Sequence, residues 1–222
     1  LGPCLWNVFF QDIIHMASWN DGNANTLADD LSIFKQYPRN VSNEIVLQDM
    51  HSSQHHAHAW GKRNRLTFDA SKECFAVLHP IHGQGPEFKF LGCLFDDKLK
   101  MHRDCDSIAA LARAKMRALL RTKGIYNLAE LIQQFKTHIW GVIEYHYGAL
   151  LHATESVISK LDRIQTRFLE DLGITIEVAF LDHNFAPAVL RRDIGMLGFV
   201  HKRVLNKCHP GVTKLLQFSG GL

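Results

Sequence analysis

No run of apolar residues in this 222-residue chain approaches the roughly 20 needed to cross a bilayer as a helix. The most apolar opening stretch, "LGPCLWNVFFQDIIHM", is interrupted by Gln11 and Asp12. It also has neither the basic start nor the small-residue cleavage site of a secretory signal. No membrane partner is expected. Cysteine is sparse: Cys4, Cys74, Cys93, Cys105 and Cys208 are scattered without a CxxC pair. That spacing argues against a disulfide scaffold and against a zinc knuckle, and for a reducing compartment, nucleus or cytoplasm rather than the exterior. Internal repeats and low-complexity tracts are also missing. The first residue is Leu1 rather than Met, so the expectation is a sequence that begins within a longer protein or after processing.

What is present suits a folded chain. Hydrophobic residues make up 46% of it, enough to bury a core in one large domain or two small ones. The net charge of +3 is unevenly spread. Residues 1–100 carry 9 Lys and Arg against 11 Asp and Glu, whereas residues 101–222 carry 16 against 11. The basic second half hints at a polyanionic partner.

The first hundred residues read as mixed α and β. The opening stretch has Leu5, Val8, Phe9, Ile13 and Met16 at helical spacing, with Pro3 near its start. "ASWNDGNAN" is turn-rich, and "TLADDLSIF" reads as two short strands with Asp29 and Asp30 at the bend. Val41 to about Trp60 is helical in pattern. "RLTFDASKECFAVLH" predicts a further strand–turn–strand, and "FKFLGCLFDD" a short strand pair.

Beyond about Arg103 the pattern is helix upon helix. Asp106 is the predicted cap of "SIAALARAKMRALLRTK", which closes at Gly124. Ile108, Leu111, Ala112, Met116, Leu119 and Leu120 form its apolar stripe. Asn127 and Glu130 form a capping pair for a long helix through about Leu151. Thr154 starts the next helix, which Gly173 stops, and Pro187 opens another. A boundary near residues 100–105 separates 1–102 from 103–222.

Four groups of residues carry chemical possibilities. Two adjacent carboxylates, Asp29 and Asp30, suit either a hydrated turn or a hard cation such as Mg²⁺. Successive strand residues face opposite ways, so the pair serves one site only if the chain bends between them. Arg113, Arg117 and Arg121 recur every four residues, with Lys115 and Lys123 alongside. That row is either a solvated helix face or a phosphate-binding one. His51, His55 and His58 have helical metal-ligand spacing, but no Cys or carboxylate nearby completes a tetrahedron. Trp140, Tyr145 and Tyr147, with Phe135, read as core rather than as a platform for bases.

The order of the motifs adds to this. "LGPCLWNVFFQD", "LADD", "W…NRLTFDASKE" and "FKFLGCLFDDKLKM" follow one another, and the C-terminal half adds "LDRIQTRFLEDLGI" and "NFAPAVLRRDIGMLGFVHKRV". The succession resembles the second half of the reverse transcriptase of non-LTR (LINE-type) retrotransposons, and the resemblance covers nearly the whole chain. It rests on Leu1, Gly2 and Pro3 with the following helix, and on Ala28, Asp29 and Asp30. Trp60, Asn64, Leu66 and Lys72, then Leu91 and Gly92, complete it.

The fold implied is α+β: a partial right-hand polymerase palm over 1–102, then an all-α thumb and C-terminal helices over 103–222. The implied activity is RNA-directed DNA polymerisation with two Mg²⁺ ions, an RNA template, a DNA primer and deoxynucleotides. Asp29 and Asp30 would be catalytic and bind metal. Lys72 would protonate the pyrophosphate or steady the triphosphate. Leu91 and Gly92 would grip the primer end, and Arg113, Arg117 and Arg121 would track the template–primer backbone.

Three departures accompany the resemblance. Leu27 stands where the family has an aromatic residue, and Asp69 where it has asparagine. The family's other metal-binding aspartate belongs to an upstream strand, with the fingers. The implication is the C-terminal part of a polymerase, inactive without its N-terminal half. The alternative is a degenerate, non-catalytic nucleic-acid-binding module that keeps the thumb.

Overall fold

The computed structural model describes residues 2–17 and 23–208. Within them the fold is α+β, with two antiparallel two-stranded sheets and a majority of helix. The chain divides into two compact units. One comprises the described residues up to Phe88 together with Asp96–Leu99. The other comprises Lys89–Phe95 and the described residues from Lys100 onward.

In the first unit, α1 (Gly2–Ala17) precedes a hairpin of β1 (Asn23–Leu27) and β2 (Asp30–Phe34), and α2 (Asn43–Arg63) follows. Ser42 caps α2 by accepting from the Ile45 amide at 3.5 Å, and Glu44 lies in its first turn, where a carboxylate favours the helix dipole. The centre of this unit is Phe10, Ile13 and Trp60, with Leu31, Leu66 and Phe68 packed around them. Trp6 stacks on Phe10 at 5.1 Å, and Phe10 meets Trp60 edge-on at 5.6 Å. Both are geometries that aromatic quadrupoles prefer.

The expected strand–turn–strand over Arg65–His79 does not form. Leu66 and Phe68 alternate like strand residues, but both pack against the α1–α2 aromatic centre instead of facing a pairing partner. Asp69 then folds the backbone into an Asx turn, its Oδ1 accepting from the Ser71 amide at 3.0 Å and the Ser71 hydroxyl at 2.6 Å. One isolated bridge, Val77 to Gln84, is the β pairing that remains there.

In the second unit, β3 (Phe88–Phe90, of which Phe88 is counted with the first unit) and β4 (Cys93–Phe95) precede α3 (His102–Leu120). That helix begins four residues before the predicted cap, after Met101 at φ 61°. Asp106 therefore lies within the helix and accepts from Lys160 at 2.5 Å, while Asp104 is the buried carboxylate. The buried face is Met101, Cys105, Ile108, Ala109, Ala112 and Met116. Leu111, placed on the stripe by its spacing, is half-exposed.

Asn127 and Glu130 do form a capping box over α4 (Leu128–Phe135). The long helix expected beyond it is interrupted. A π-helical turn, Lys136–Trp140, leads into α5 (Gly141–Tyr145), and a break at His146 precedes α6 (Tyr147–Leu150). The wider turn lets the adjacent Ile139 and Trp140 both be buried.

Helix α7 (Glu155–Leu172) packs along α3. It ends at Gly173 with φ 72°, a left-handed residue that glycine adopts without a Cβ clash. Two helices follow: α8 (Ile176–His183), which the sequence pattern did not reveal, and α9 (Ala188–Val204). Phe135, Phe168, Phe185 and Trp140 form the aromatic heart of the unit, with Trp140 stacked on Phe185 at 4.5 Å. Arg191 lies 3.6 Å above the Trp140 ring. No described helix is long and apolar enough to cross a membrane.

Candidate functional site

The acidic pair sits at the tip of the β1–β2 hairpin. Leu27 and Asp30 are the last paired residues, so Ala28 and Asp29 alone form the loop. Asp30 opens β2, and both carboxylates are exposed. The pair thus straddles the bend, the condition under which neighbouring aspartates can address one side.

Ala28 holds the left-handed φ of 55°, which costs a residue with a Cβ roughly 1–2 kcal/mol. Its carbonyl accepts from the Trp6 indole N–H at 2.7 Å. The hairpin tip is therefore tied to α1 by a residue whose own ring belongs to the aromatic centre. Trp6 as an anchor was not evident beforehand, because 22 residues separate donor from acceptor.

The other members expected in the first unit stand apart from the pair. Lys72 is 83% exposed, and its ion partner is Asp69 at 3.9 Å within the same turn. Among the described residues no ion pair joins Lys72 to Asp29 or Asp30. Leu27 is exposed beside the acidic tip. The histidines of α2 make local contacts: His51 with Gln54 at 3.4 Å and His58 with Glu73 at 2.8 Å. They do not converge into a metal-holding group among the described residues.

The donor chemistry of the acidic tip suits Mg²⁺, a hard cation that takes oxygen ligands. The donor number is smaller than a two-metal site needs. Among the described residues no third His, Cys, Asp or Glu gathers with Asp29 and Asp30.

A different carboxylate in the first unit is fully engaged. Asp49 accepts from Lys35 at 2.9 Å and Tyr37 at 2.7 Å. The Lys35 hydrogen bond, then that of Tyr37, holds it below the ordinary carboxylate range.

In the second unit, Leu91 and Gly92 form the two-residue loop of the β3–β4 hairpin, at φ 49° and 84°. Positive φ at both positions is the primed-turn pattern that matches the twist of paired strands. The Tyr145 hydroxyl donates to the Leu91 carbonyl at 2.6 Å. A Cβ at Gly92 would stand 3.5 Å from the Tyr145 ring.

Arg113, Arg117 and Arg121 are all exposed along α3 and its C-terminal cap. They have no ion-pair partner among the described residues. Lys123 is committed elsewhere, donating to the Asp171 carbonyl at 2.6 Å, and Lys115 lines an open groove with His138, Tyr145 and His146. Phe135 and Trp140 are core residues, as their spacing suggests, whereas Tyr145 is exposed.

Compared with protein-family models, curated proteins and solved structures, the chain matches none.

A second cluster, not foreseen, lies in the helical unit. Cys93 of β4, Asp104 of α3 and His146 at the α5–α6 break bring their ligand atoms within 4.8 Å of one another. The Asp104 Oδ1 accepts from the Leu94 amide at 2.8 Å, and its Oδ2 lies 3.1 Å from His146 Nδ1. Burial, then the Asp104 charge, raises the Cys93 thiol above its ordinary value, so the residue is not an activated nucleophile. No sequence signal could have linked three residues so far apart.

Proposed function

We propose that the chain is the palm-hairpin and thumb portion of an RNA-directed DNA polymerase of the non-LTR retrotransposon type. The observation that carries this reading is the exposed Asp29–Asp30 pair straddling the end of a two-residue hairpin loop whose tip is anchored to α1. Phosphoryl transfer relies on positioned charge more than on covalent chemistry, so rigid carboxylates are the parts it needs. When bound, Mg²⁺ supplies Lewis-acid polarisation of the phosphates.

The residues of this chain hold and orient. Asp29 and Asp30 present oxygen ligands to the cation, with a further carboxylate of the polymerase completing the set. Trp6 fixes the direction in which the tip points. The Arg113, Arg117 and Arg121 row offers three exposed cations to a nucleic-acid backbone, a sequence-independent contact.

The two-donor limit at the tip favours a second reading, a nucleic-acid-binding module without catalysis. Primer extension on an RNA template by the polymerase carrying this chain separates the two. Under the first reading Asp29→Ala reduces extension to background while template–primer binding persists. Extension retained in Asp29→Ala removes the catalytic assignment.

A further inference from the structure

We infer that Cys93, Asp104 and His146 form a zinc-binding site in the helical unit, separate from the acidic hairpin and independent of the polymerase reading. The three donors come from three elements that meet in the core: Cys93 on β4, Asp104 in the first turn of α3, and His146 at the break after α5. Cys93 and Asp104 are 7% and 3% exposed, and the His146 side chain 15%. Sulfur, nitrogen and oxygen together are the mixture that borderline-soft Zn²⁺ accepts and that Mg²⁺ and Ca²⁺ do not.

The geometry is close to what the ion requires. Asp104 Oδ2 and His146 Nδ1 lie 3.1 Å apart. A zinc ion with Zn–N and Zn–O bonds of about 2.0–2.1 Å in tetrahedral coordination would separate them by about 3.3 Å. The Leu94 amide already holds the other Asp104 oxygen at 2.8 Å, the outer contact that fixes a ligating carboxylate.

Charge also balances. On binding, the Cys93 thiol releases its proton to solvent and forms the S–Zn bond. Thiolate, carboxylate and neutral imidazole then bring the buried ion to zero net charge. Without the ion, the buried carboxylate faces a single imidazole and a neutral thiol. His146 also lines the open groove of about 400 Å³ with Lys115, His138 and Tyr145. That groove is the entry route for the hydrated ion and the side from which water or a fourth ligand completes the tetrahedron. Three protein ligands plus one open position is the arrangement of zinc sites that act on a bound molecule, whereas purely structural sites are closed by four.

The test is Co²⁺ and Zn²⁺ titration of the full chain, with Co²⁺ as the optical reporter. The site predicts one cobalt per chain, with tetrahedral d–d bands and a thiolate-to-metal charge-transfer band displaced by one equivalent of Zn²⁺. Cys93→Ser loses the charge-transfer band, and His146→Ala weakens binding at least 10-fold. A variant with Cys4, Cys74 and Cys208 all changed to Ser keeps both. Absence of the charge-transfer band in the unaltered chain overturns the proposal whatever the variants do. So does its persistence in Cys93→Ser, which would assign it to another thiol, or weak octahedral d–d bands in place of the tetrahedral ones, which would mean adventitious binding to the surface histidines. Circular dichroism of each variant shows that a lost band reports lost coordination, and the unaltered chain decides the matter if a variant unfolds.

Discussion

Among the described residues, the buried cluster of the first unit is Phe10, Ile13 and Trp60, whereas that of the second is twenty residues drawn from Met101 to Phe185. The acidic hairpin therefore stands on a thin aromatic base, and the arginine row on a thick helical one. Hydrophobic stabilisation follows buried apolar area, so on the described residues the first unit is expected to be the weaker of the two. The catalytic role proposed for the hairpin needs an orientation more than a deep core, and the Trp6 bond to the Ala28 carbonyl gives one. A helix that carries exposed cations along one face needs a rigid axis, which the packing of α3 against α7 provides.

The contrast breaks or holds most visibly at Phe168. It is fully buried, 4.3 Å from the Phe135 ring, so Phe168→Ala should cost about 3–5 kcal/mol. Urea denaturation followed by circular dichroism should show the more stable transition shifted and the less stable one left in place. A single transition that moves as a whole would mean the two units unfold together.

Cys105 sharpens the same comparison through pH. Its thiol, fully buried, donates to the Val157 carbonyl at 3.0 Å and so links α3 to α7. Burial pushes it up from 9.0 to about 11. A group whose folded value is raised contributes stability in full below its unfolded value and loses it as pH rises through the folded one. The second unit should therefore lose stability between pH 9 and about 11, and Cys105→Ser should flatten that loss. An unchanged alkaline profile in Cys105→Ser would place the titration elsewhere.

In the first unit the effects are smaller. Trp6→Phe keeps the ring but removes the bond to the Ala28 carbonyl, and should cost about 1 kcal/mol in the less stable transition alone. Ala28→Gly relieves the positive φ at the price of a more flexible unfolded chain, a net gain of about 0.5 kcal/mol. Thermal melts of the two variants should move in opposite directions. The same direction for both would show that the loop conformation is not what Trp6 holds.

Features written in neighbouring residues were legible in the sequence, and features made by distant ones were not. The hairpin around Asp29 and Asp30, the Asn127–Glu130 box and the Gly173 stop each depend on a few adjacent residues, and each forms as expected. The period-two pattern of Leu66 and Phe68 misled because packing on Trp60 satisfies those side chains without strand pairing. Asp106 reads as a cap from its neighbours alone, but α3 starts after Met101 with no side-chain cap, and Asp104 in its first turn accepts from the Leu94 amide instead. The break at His146, which brings its ring to Asp104, follows from how α3 and α5 pack, and no local signal announces it.

The central claim is that the acidic tip acts in catalysis and the arginine row in binding. Scoring extension and binding together on one polymerase tests it most directly. Asp29→Ala should bind RNA template and DNA primer with unchanged affinity and fail to extend. Arg113→Glu combined with Arg117→Glu should weaken binding for every sequence and lower the salt slope by about 2. Extension by Asp29→Ala, or binding by the arginine variant with an unaltered salt slope, would contradict the account.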